Sequence, residues 1–304
     1  MNQHGRDDRS FLALVNAGAG SAGSDAVGAV VGELGRAGDV ELRRTGSLEE
    51  LREALLGAGG RQIVLLGGDG SLHAALQLLW DARCTWDVGP LGIVPLGTGN
   101  DLARSLRLPL DPVAAARVVT SGRPRALELL VDSRDRITVN TVHAGIGAAA
   151  TATAQRFKKR LGALAYPLGA AWAGVSAGRG FRLRVEVDGQ VVAPGPEPVL
   201  MVGIGIGGTI GGGAPLVPGA DPHDGVADVV VSTSTGPLAR LGFAAGLRRG
   251  VHVERQDVTT AAGSVVEITA ESGAFRLNSD GEVTDPQTSE RFEMHTDVWR
   301  VFCP

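Results

Sequence analysis

Ile63 to Ser71 read IVLLGGDGS, a short apolar run that breaks into a glycine-rich turn carrying one carboxylate. Four apolar residues before two glycines predict a buried strand, and the pattern of Ser71–Trp80 predicts a helix directly after it. Glycines let the backbone approach a phosphate closely, and the N-terminus of a helix favours negative charge. The stretch therefore predicts a phosphate-binding turn between a strand and a helix.

This first turn supplies the first set of candidate residues. Asp69 follows the end of a strand, where a carboxylate is well placed to hold Mg²⁺ or to orient a nucleophile. The alternative interpretation is a plain glycine turn in which Asp69 caps the helix. The candidates for nucleotide binding are Gly67, Gly68, Gly70 and Ser71.

A second loop of the same kind follows the next predicted strand, Leu91–Val94. Pro95–Arg104 reads PLGTGNDLAR and brings a hydroxyl, an amide and a carboxylate together. These groups suit a ribose, a phosphate or a cation, and loops after strands of one parallel sheet open into the same crevice. The alternative is a turn that only caps the next helix. The candidates are Gly97, Thr98, Gly99, Asn100 and Asp101.

The pattern along the whole chain predicts two kinds of architecture. Strands and helices alternate over the first third, which indicates an α/β region with a parallel sheet and helices on both faces. In this region Ser47–Glu50 reads SLEE, a capping-box signature for a helix that runs to Leu56. After about residue 125 the pattern becomes rich in strands, with one predicted over Ile137–Val142, and Asp188-Gly189 is a strong hairpin signal. Helical insertions are predicted around 155–176 and 237–249, and Asp297–Phe302 predicts a last strand whose partner the pattern does not identify.

Composition excludes several classes of protein. The 304 residues are 43% hydrophobic, and the 45 glycines have no period, which excludes collagen-like and low-complexity chains. A net charge of −4 provides no basic field for nucleic acid. Cys84 and Cys303 form no metal-ligand spacing, and no apolar stretch is a convincing membrane span. We therefore expect a cytoplasmic protein with peripheral contact at the inner face of the membrane.

The basic run Arg156–Arg160 is the sequence feature that favours this membrane contact. It precedes an apolar stretch, an arrangement that suits anionic phospholipid. The alternative is the solvated start of a helix.

Two further acidic segments carry candidate chemistry. Asp280-Gly281-Glu282 follows a predicted strand, and a carboxylate there can orient or deprotonate an attacking hydroxyl group. The alternative is an ordinary Asp-Gly hairpin turn. Asp221 and Asp224, three residues apart in a turn, can hold a hard cation such as Mg²⁺, with an acidic solvated turn as the alternative.

The chain resembles the diacylglycerol-kinase catalytic fold, which includes bacterial lipid kinases and sphingosine kinases. Gly67–Gly70 and Pro95–Arg104 look like the two nucleotide-binding signatures of that family. It departs from the family where Ala17 replaces proline after Asn16, and where Ser71 and Ala74 replace threonine and glutamate. Further matching segments follow in family order: Asn140, Ala144–Gly147, Leu161–Tyr166, Gly211–Gly213, Pro218–Asp221, Asp224-Gly225 and Asp280–Glu282.

The resemblance implies a two-domain architecture. We expect a three-layer α/β nucleotide-binding domain over residues 1–125 with a C-terminal strand at 290–304. An antiparallel β-sandwich over residues 126–289 would hold the lipid, and the active site would lie in the cleft between the domains.

The resemblance also implies roles for individual residues. Asp280 would act as the base with Glu282 assisting, and Asp69 is the competing candidate. ATP would be the donor, Mg²⁺ would be required, and Asn16 and Gly18 of the first loop would join the nucleotide site. Asp221 and Asp224 would hold a structural Mg²⁺.

The function predicted is transfer of a phosphoryl group from ATP to a lipid alcohol, in the first place diacylglycerol. A sphingoid base or phosphatidylglycerol is an alternative acceptor. A further alternative is an NAD-kinase-like or phosphofructokinase-like enzyme, which shares the first turn. The second loop and Asp280–Glu282 together resemble lipid kinases specifically and favour the lipid kinase. A non-catalytic binding protein is disfavoured because the candidate carboxylates are all present. The oligomeric state, including a homodimer, stays open.

Overall fold

The computed structural model describes residues 9–17, 21–145 and 180–304. Gly18, the basic run Arg156–Arg160 and the helical insertion predicted at 155–176 lie outside the described residues. The chain divides into two compact units, one of residues 1–128 with 296–304 and one of residues 129–295. Both boundaries fall within strands.

The first unit contains a parallel four-stranded sheet in the order β2-β1-β3-β4, as the alternating pattern predicts. Every residue of Ile63–Gly67 is buried, because both faces of this central strand are covered. In chain order the elements are β1 (Ser10–Asn16), α1 (Ser21–Leu34), β2 (Asp39–Thr45), α2 (Leu48–Leu56), β3 (Gln62–Gly67), α3 (Asp69–Asp81), β4 (Gly92–Pro95), α4 (Asp101–Ser105) and α5 (Pro112–Ser121).

Helices lie on both faces of this sheet. Alternate residues of β1, Phe11 and Ala13 among them, share one buried apolar cluster with α1 and α5. On the other face α3 packs on β3, and α2 packs on α3. The period of two along a strand sends successive side chains to opposite faces, so one strand serves both helix layers.

The last strand of the chain belongs to the first unit at its C-terminal end. Val301 forms a parallel bridge with Leu91, next to β4. The N–H of Leu91 donates to the carbonyl of Arg300 at 2.8 Å, and the N–H of Phe302 donates to the carbonyl of Leu91 at 3.1 Å. Trp299 on this strand is only 1% exposed.

The second unit is an antiparallel β-sandwich. Its two six-stranded sheets have the orders β14-β13-β10-β7-β16-β17 and β6-β5-β18-β15-β8-β9. Both sheets contribute to one buried apolar cluster, which contains Val229 and Ile204 from the first and Val185 and Ile268 from the second. The α/β-plus-sandwich fold class is therefore confirmed.

The strands of the sandwich and its helices follow in chain order. They are β5 (Arg123–Asp132), β6 (Ile137–Thr138), β7 (Thr141–Gly145), β8 (Leu183–Val187), β9 (Gln190–Pro194), β10 (Met201–Gly205), β11 (Thr209–Ile210), β12 (Ala214–Pro215), β13 (Ala227–Ser232), α6 (Pro237–Leu247), the 3₁₀ helix His252–Glu254, β14 (Val258–Gly263), β15 (Val265–Ala270), β16 (Leu277–Ser279), β17 (Glu282–Val283) and β18 (Ser289–Cys303).

The described residues contain no helix long and apolar enough to cross a bilayer.

Candidate functional site

The first glycine turn is shorter than the sequence pattern predicts. Helix α3 begins at Asp69, with Gly68 as its N-cap, so Asp69, Gly70 and Ser71 form the first helical turn. The N–H groups of Ser71 and Leu72 donate to the carbonyl of Gly68 at 3.0 and 3.1 Å. The strand therefore runs into the helix almost without a loop, and the positive end of the helix dipole lies at the end of β3.

The two glycine loops touch each other through their backbones. A Cβ atom added to Gly97 would lie 2.5 Å from the Cα of Gly68, and one added to Gly68 would lie 2.9 Å from the Cα of Gly97. Asp69 Oδ1 accepts a hydrogen bond from the N–H of Leu102 at 3.1 Å. The loops that follow β3 and β4 therefore form one fixed unit, as expected for loops after adjacent parallel strands.

Asn100 determines the shape of the second loop. Its Oδ1 accepts from the N–H of Gly97 at 3.0 Å, and its Nδ2 donates to the carbonyl of Gly97 at 2.8 Å. Its backbone is left-handed, with φ of +53°, a conformation that asparagine tolerates better than most residues. Asn100 is thus engaged within the loop and buried. Asp101 begins α4 and is also buried, whereas Thr98 is exposed.

A cavity of about 340 Å³ lies in the first unit at the carboxyl ends of β1, β2 and β3. It brings together Asn16, Gly67, Gly70 and Ser71 of the predicted nucleotide residues. Gly68 and the second-loop candidates do not line it. The lining residues are Leu14, Val15, Asn16, Thr45, Gly46, Ser47, Leu48, Leu51, Leu65, Leu66, Gly67, Gly70, Ser71 and Ala74.

The contribution of the loop after β2 was not foreseen from the sequence. Thr45, Gly46 and Ser47 line the cavity, although Ser47 was interpreted only as a helix cap. That interpretation is also correct, because Ser47 Oγ accepts from the N–H of Glu50 at 3.2 Å. The Glu50 side chain in turn accepts from the N–H of Gly46, one residue before the N-cap, at 2.6 Å, so this variant of the capping box also fixes the wall of the cavity. No local pattern signals this contribution, because it depends on the position of β2 directly beside β1 in the sheet.

Asp280 and Gly281 form the two central residues of the β16–β17 hairpin. Their φ angles are +47° and +95°, as a type I′ turn requires, and Ser279 pairs with Glu282 across the hairpin. The hairpin interpretation of this Asp-Gly pair is therefore confirmed for the backbone. It leaves open what the side chains do.

The Asp280 carboxylate is bound by the backbone of a neighbouring segment. It accepts from the N–H of Val139 at 2.7 Å and from the N–H groups of Asn140 and Thr141 at 3.0 Å each. These donors lie at the break between β6 and β7, where the sequence predicts one continuous strand over 137–142. The carboxylate thus fixes the hairpin against this break, and the hairpin places the exposed Glu282 at the first position of β17.

The turn before β13 carries the two candidate metal ligands. Asp221 and Asp224 are exposed, and Asp224 Oδ1 accepts from the N–H of Val226 at 3.2 Å. Burial raises the pKa of Asp228, and the nearby charge of Asp224 raises it further, so negative charge is concentrated here. Carboxylate and carbonyl oxygens suit Mg²⁺. Within the described ranges no group of three or more His, Cys, Asp or Glu side chains is arranged to hold a metal.

His143 is a buried neutral group rather than a proton carrier. It lies on β7, and burial lowers its pKa to about 4. Its Nδ1 is buried without a hydrogen-bond partner.

Comparison with known proteins assigns both halves of the chain. Residues 10–131 match the diacylglycerol kinase catalytic domain, and residues 140–303 match the YegS C-terminal NAD kinase beta sandwich-like domain. The chain is 31% identical to a protein named diacylglycerol kinase from Mycobacterium tuberculosis, over 91% of this chain and 90% of that protein. It is 31% identical to a "Probable lipid kinase YegS-like" from Pseudomonas aeruginosa, over 98% and 95%.

Solved structures show the same fold. "A putative diacylglycerol kinase from Bacillus anthracis str. Sterne" superposes with a TM-score of 0.76 at 20% identity, covering 98% of this chain and 97% of that one. Both family matches and relatives above 30% identity over most of their length agree with the nucleotide signatures of the first unit. The chain therefore belongs to the diacylglycerol kinase and YegS-like family of lipid kinases.

Proposed function

We propose that this lipid kinase transfers the γ-phosphoryl group of ATP to the free hydroxyl group of diacylglycerol. The observation that carries the nucleotide half of the proposal is the cavity at the end of β1–β3, which opens beside the N-terminus of α3. The acceptor half rests on the relative from Mycobacterium tuberculosis, which is named for that substrate.

The cavity suits a nucleotide because it combines apolar and polar surface. Leu14, Leu51 and Leu65 offer apolar contact for a base, and Thr45 and Ser71 offer hydroxyl groups. The first N–H groups of a helix lack partners within the helix, so those of α3 are available to phosphate oxygens. Asn16, Gly67, Gly68, Gly70 and Ser71 form this part of the site, and Gly18 is included by resemblance.

The second loop completes the phosphate site by its backbone. Gly97 is held by its close backbone contact with Gly68 and by the two hydrogen bonds of Asn100, and Thr98 and Gly99 follow it in the loop. Asp69 and Asp101 place two carboxylates at the starts of α3 and α4. In this arrangement Asp69 ties the two loops together through Leu102, which favours an orienting role over that of a base.

Glu282 is the residue that we assign as general base. The oxygens of Asp280 already accept three backbone hydrogen bonds, whereas Glu282 is exposed beside it. The Glu282 carboxylate takes the proton of the lipid hydroxyl group as that oxygen bonds to the γ-phosphorus. The bond from the γ-phosphorus to its bridging oxygen breaks, and ADP leaves. Asp280 acts by fixing the hairpin that carries Glu282.

Mg²⁺ is the metal that this chemistry calls for. Bound to the phosphates, it neutralises charge that develops during transfer. Asp221 and Asp224 are the residues that would hold a separate, structural Mg²⁺, since their turn concentrates hard oxygen ligands.

The test is radiolabelled γ-phosphate transfer with the full chain, ATP and Mg²⁺. Diacylglycerol, a sphingoid base and phosphatidylglycerol are offered in detergent micelles, with NAD in a separate reaction, and products are separated by chromatography. We expect label in phosphatidic acid with the wild-type chain, and at least about a hundredfold less with Glu282→Gln. Label confined to another lipid would change the acceptor, and label in NADP would contradict the proposed reaction.

A further inference from the structure

Helix α6 (Pro237–Leu247) is apolar on two faces. Phe243 is buried on the inner face. Leu238 and Leu241, one helical turn apart, are 84% and 68% exposed, and no other large apolar residue of the described chain is as exposed as either. Ala244 and Ala245 are exposed on the same side. An outer face of this kind has no structural role in a chain that stands alone in water.

The inner face holds the helix firmly on the sandwich. Phe243 and Leu247 belong to an apolar cluster with Leu216 and Val217. The Phe243 ring meets the ring of His252 edge-on at 5.3 Å between centroids, and His252 Nε2 lies 2.9 Å from the carbonyl oxygen of Leu216. The exposed leucines are therefore carried by a fixed helix and not by a loose end.

The charge around the outer face is positive. From Thr233 to Val253 the sequence contains three arginines and no aspartate or glutamate, although the whole chain has a net charge of −4. Arg248 and Arg249 are exposed directly after the helix, and Val251 beyond them is 41% exposed. The next acidic residue along the chain, Glu254, is exposed, and Asp257 beyond it is paired with Arg255 at 2.8 Å. Together with this pair and Glu254, the three arginines leave the segment with a net positive charge.

We propose that the outer face of α6 docks this protein on an anionic lipid bilayer. Exposed leucines beside arginines are the pattern of helices that lie in the interface of a membrane. Arginines near the surface are attracted to anionic headgroups, which supplies the charge complementarity. A second copy of the chain is a poor occupant, because a two-fold contact would place the same arginines against each other. The inference deepens the proposed function, since a lipid acceptor resides in such a bilayer.

The position of the helix links docking to the candidate metal turn. Leu216 and Val217, which α6 covers, lead directly into the turn that carries Asp221. A bilayer bound to the outer face would thus contact an element that packs on the segment before this turn.

The experiment measures sedimentation of the full chain with vesicles. Two vesicle types are used, phosphatidylcholine alone and a mixture of phosphatidylcholine with phosphatidylglycerol. The variants are Leu238→Ser/Leu241→Ser and Arg248→Gln/Arg249→Gln. The matched control is Arg52→Gln/Leu56→Ser on α2, which removes one exposed arginine and one exposed leucine elsewhere. Circular dichroism melting shows that each variant is folded.

We expect the wild-type chain and the control to bind the anionic vesicles. The leucine variant should bind both vesicle types at least about tenfold more weakly, as loss of inserted side chains requires. The arginine variant should bind anionic vesicles about tenfold more weakly than the wild type, and its affinity for neutral vesicles should change little. The proposal would be overturned if either folded α6 variant bound anionic vesicles with wild-type affinity. It would also be overturned if the wild-type chain were a dimer and the leucine variant abolished the dimer but not vesicle binding.

An activity arm separates this inference from the proposed function. With a short-chain diacylglycerol in detergent micelles, both α6 variants should turn over at the wild-type rate, while on vesicles their apparent KM should rise. If the wild-type chain phosphorylates no lipid but shows the expected vesicle binding, the proposed function fails and the docking surface stands.

Discussion

At the scale of single residues, Asp280 and Glu282 separate two roles that one short acidic segment can play. Asn is compatible with the left-handed backbone at position 280, so Asp280→Asn preserves the turn. One Asp280 oxygen accepts from the N–H of Val139, and the other accepts from the N–H groups of Asn140 and Thr141. The substitution replaces one of these oxygens with an NH₂ group, which cannot accept these bonds. We expect Asp280→Asn to lower the free energy of unfolding by about 1–3 kcal/mol, measured by urea denaturation.

Glu282→Gln is the matched variant of the same hairpin. It should leave the urea midpoint and ATP affinity unchanged and reduce transfer by about a hundredfold or more. If Glu282→Gln turned over normally while Asp280→Asn, folded and able to bind ATP, did not, the base would have to be reassigned to Asp280.

Also at the residue scale, the buried His143 makes stability depend on pH. Burial lowers its pKa from the ordinary 6.5 to about 4, so the unfolded chain binds a proton that the folded chain rejects. The contribution is fully present above pH 6.5 and is lost as the pH falls towards 4. Its full size is on the order of 3 kcal/mol.

Urea denaturation of the wild type and of His143→Gln at pH 7 and pH 5 measures this effect. The midpoint of the wild type should fall more steeply on acidification than that of the variant. Some dependence should remain in the variant, because burial also lowers the pKa of His252. Equal slopes for both proteins would show that His143 is not the source.

At the scale of elements, the two glycine loops should behave as one. Gly97→Ala places a Cβ 2.5 Å from the Cα of Gly68 and 2.8 Å from Asn100 Oδ1, so the loops must separate. We expect a loss of about 1–3 kcal/mol in stability and at least about tenfold weaker ATP binding, measured by urea denaturation and calorimetry. Gly70→Ala is the control for stability, since nothing lies within 4 Å of its added Cβ. Equal stability of the two variants would contradict the contact.

The elements also show what a single sequence can reveal. The strand and helix around Gly67–Asp69 were predicted because a buried strand, glycines and a helical pattern agree locally. The Asp188-Gly189 hairpin was predicted for the same reason, and both residues have the required positive φ. Helix α5 was missed even though Asp111 before Pro112 is a start signal, and the Asp111 side chain does accept from the N–H of Ala114 at 2.8 Å.

Contacts between distant segments were beyond the local pattern. The bonds of Asp280 to residues 139–141 join positions about 140 residues apart, and they break a strand that local propensity predicts as continuous. The cavity wall at Thr45–Ser47 likewise depends on which strand lies beside β1. Burial of one face and pairing order are tertiary quantities, so propensity could not supply them.

At the scale of the whole molecule, the chain makes its first unit from both of its ends. All the nucleotide candidates precede residue 102, yet residues 296–304 belong to the same compact unit. Trp299 and Val301 are 1% and 0% exposed, and the Trp299 Nε1–H donates to the carbonyl of Glu128 at 3.4 Å. The unit that carries the nucleotide candidates therefore includes a strand that lies far from them in the sequence, and we expect its stability to depend on that strand.

This dependence predicts a large effect of Trp299→Ala on the first unit. Loss of a buried tryptophan typically costs about 3–5 kcal/mol. Trp86 is the matched control, because it is 48% exposed and has the Arg300 guanidinium group over its ring at 4.5 Å from the centroid. We expect Trp86→Ala to cost less than about 1 kcal/mol.

Thiol labelling reports on the first unit alone, since the two cysteines of the chain, Cys84 and Cys303, both belong to it. Both are free, and burial raises the pKa of each thiol. Cys84 is partly exposed, whereas Cys303 is buried, so we expect labelling of Cys303 to proceed mainly through opening of the unit. Trp299→Ala should speed labelling of Cys303 by about two orders of magnitude, and saturating ATP should slow it again. If Cys303 were labelled in Trp299→Ala at the same rate as in the wild type, the terminal strand would not be needed to hold the unit closed.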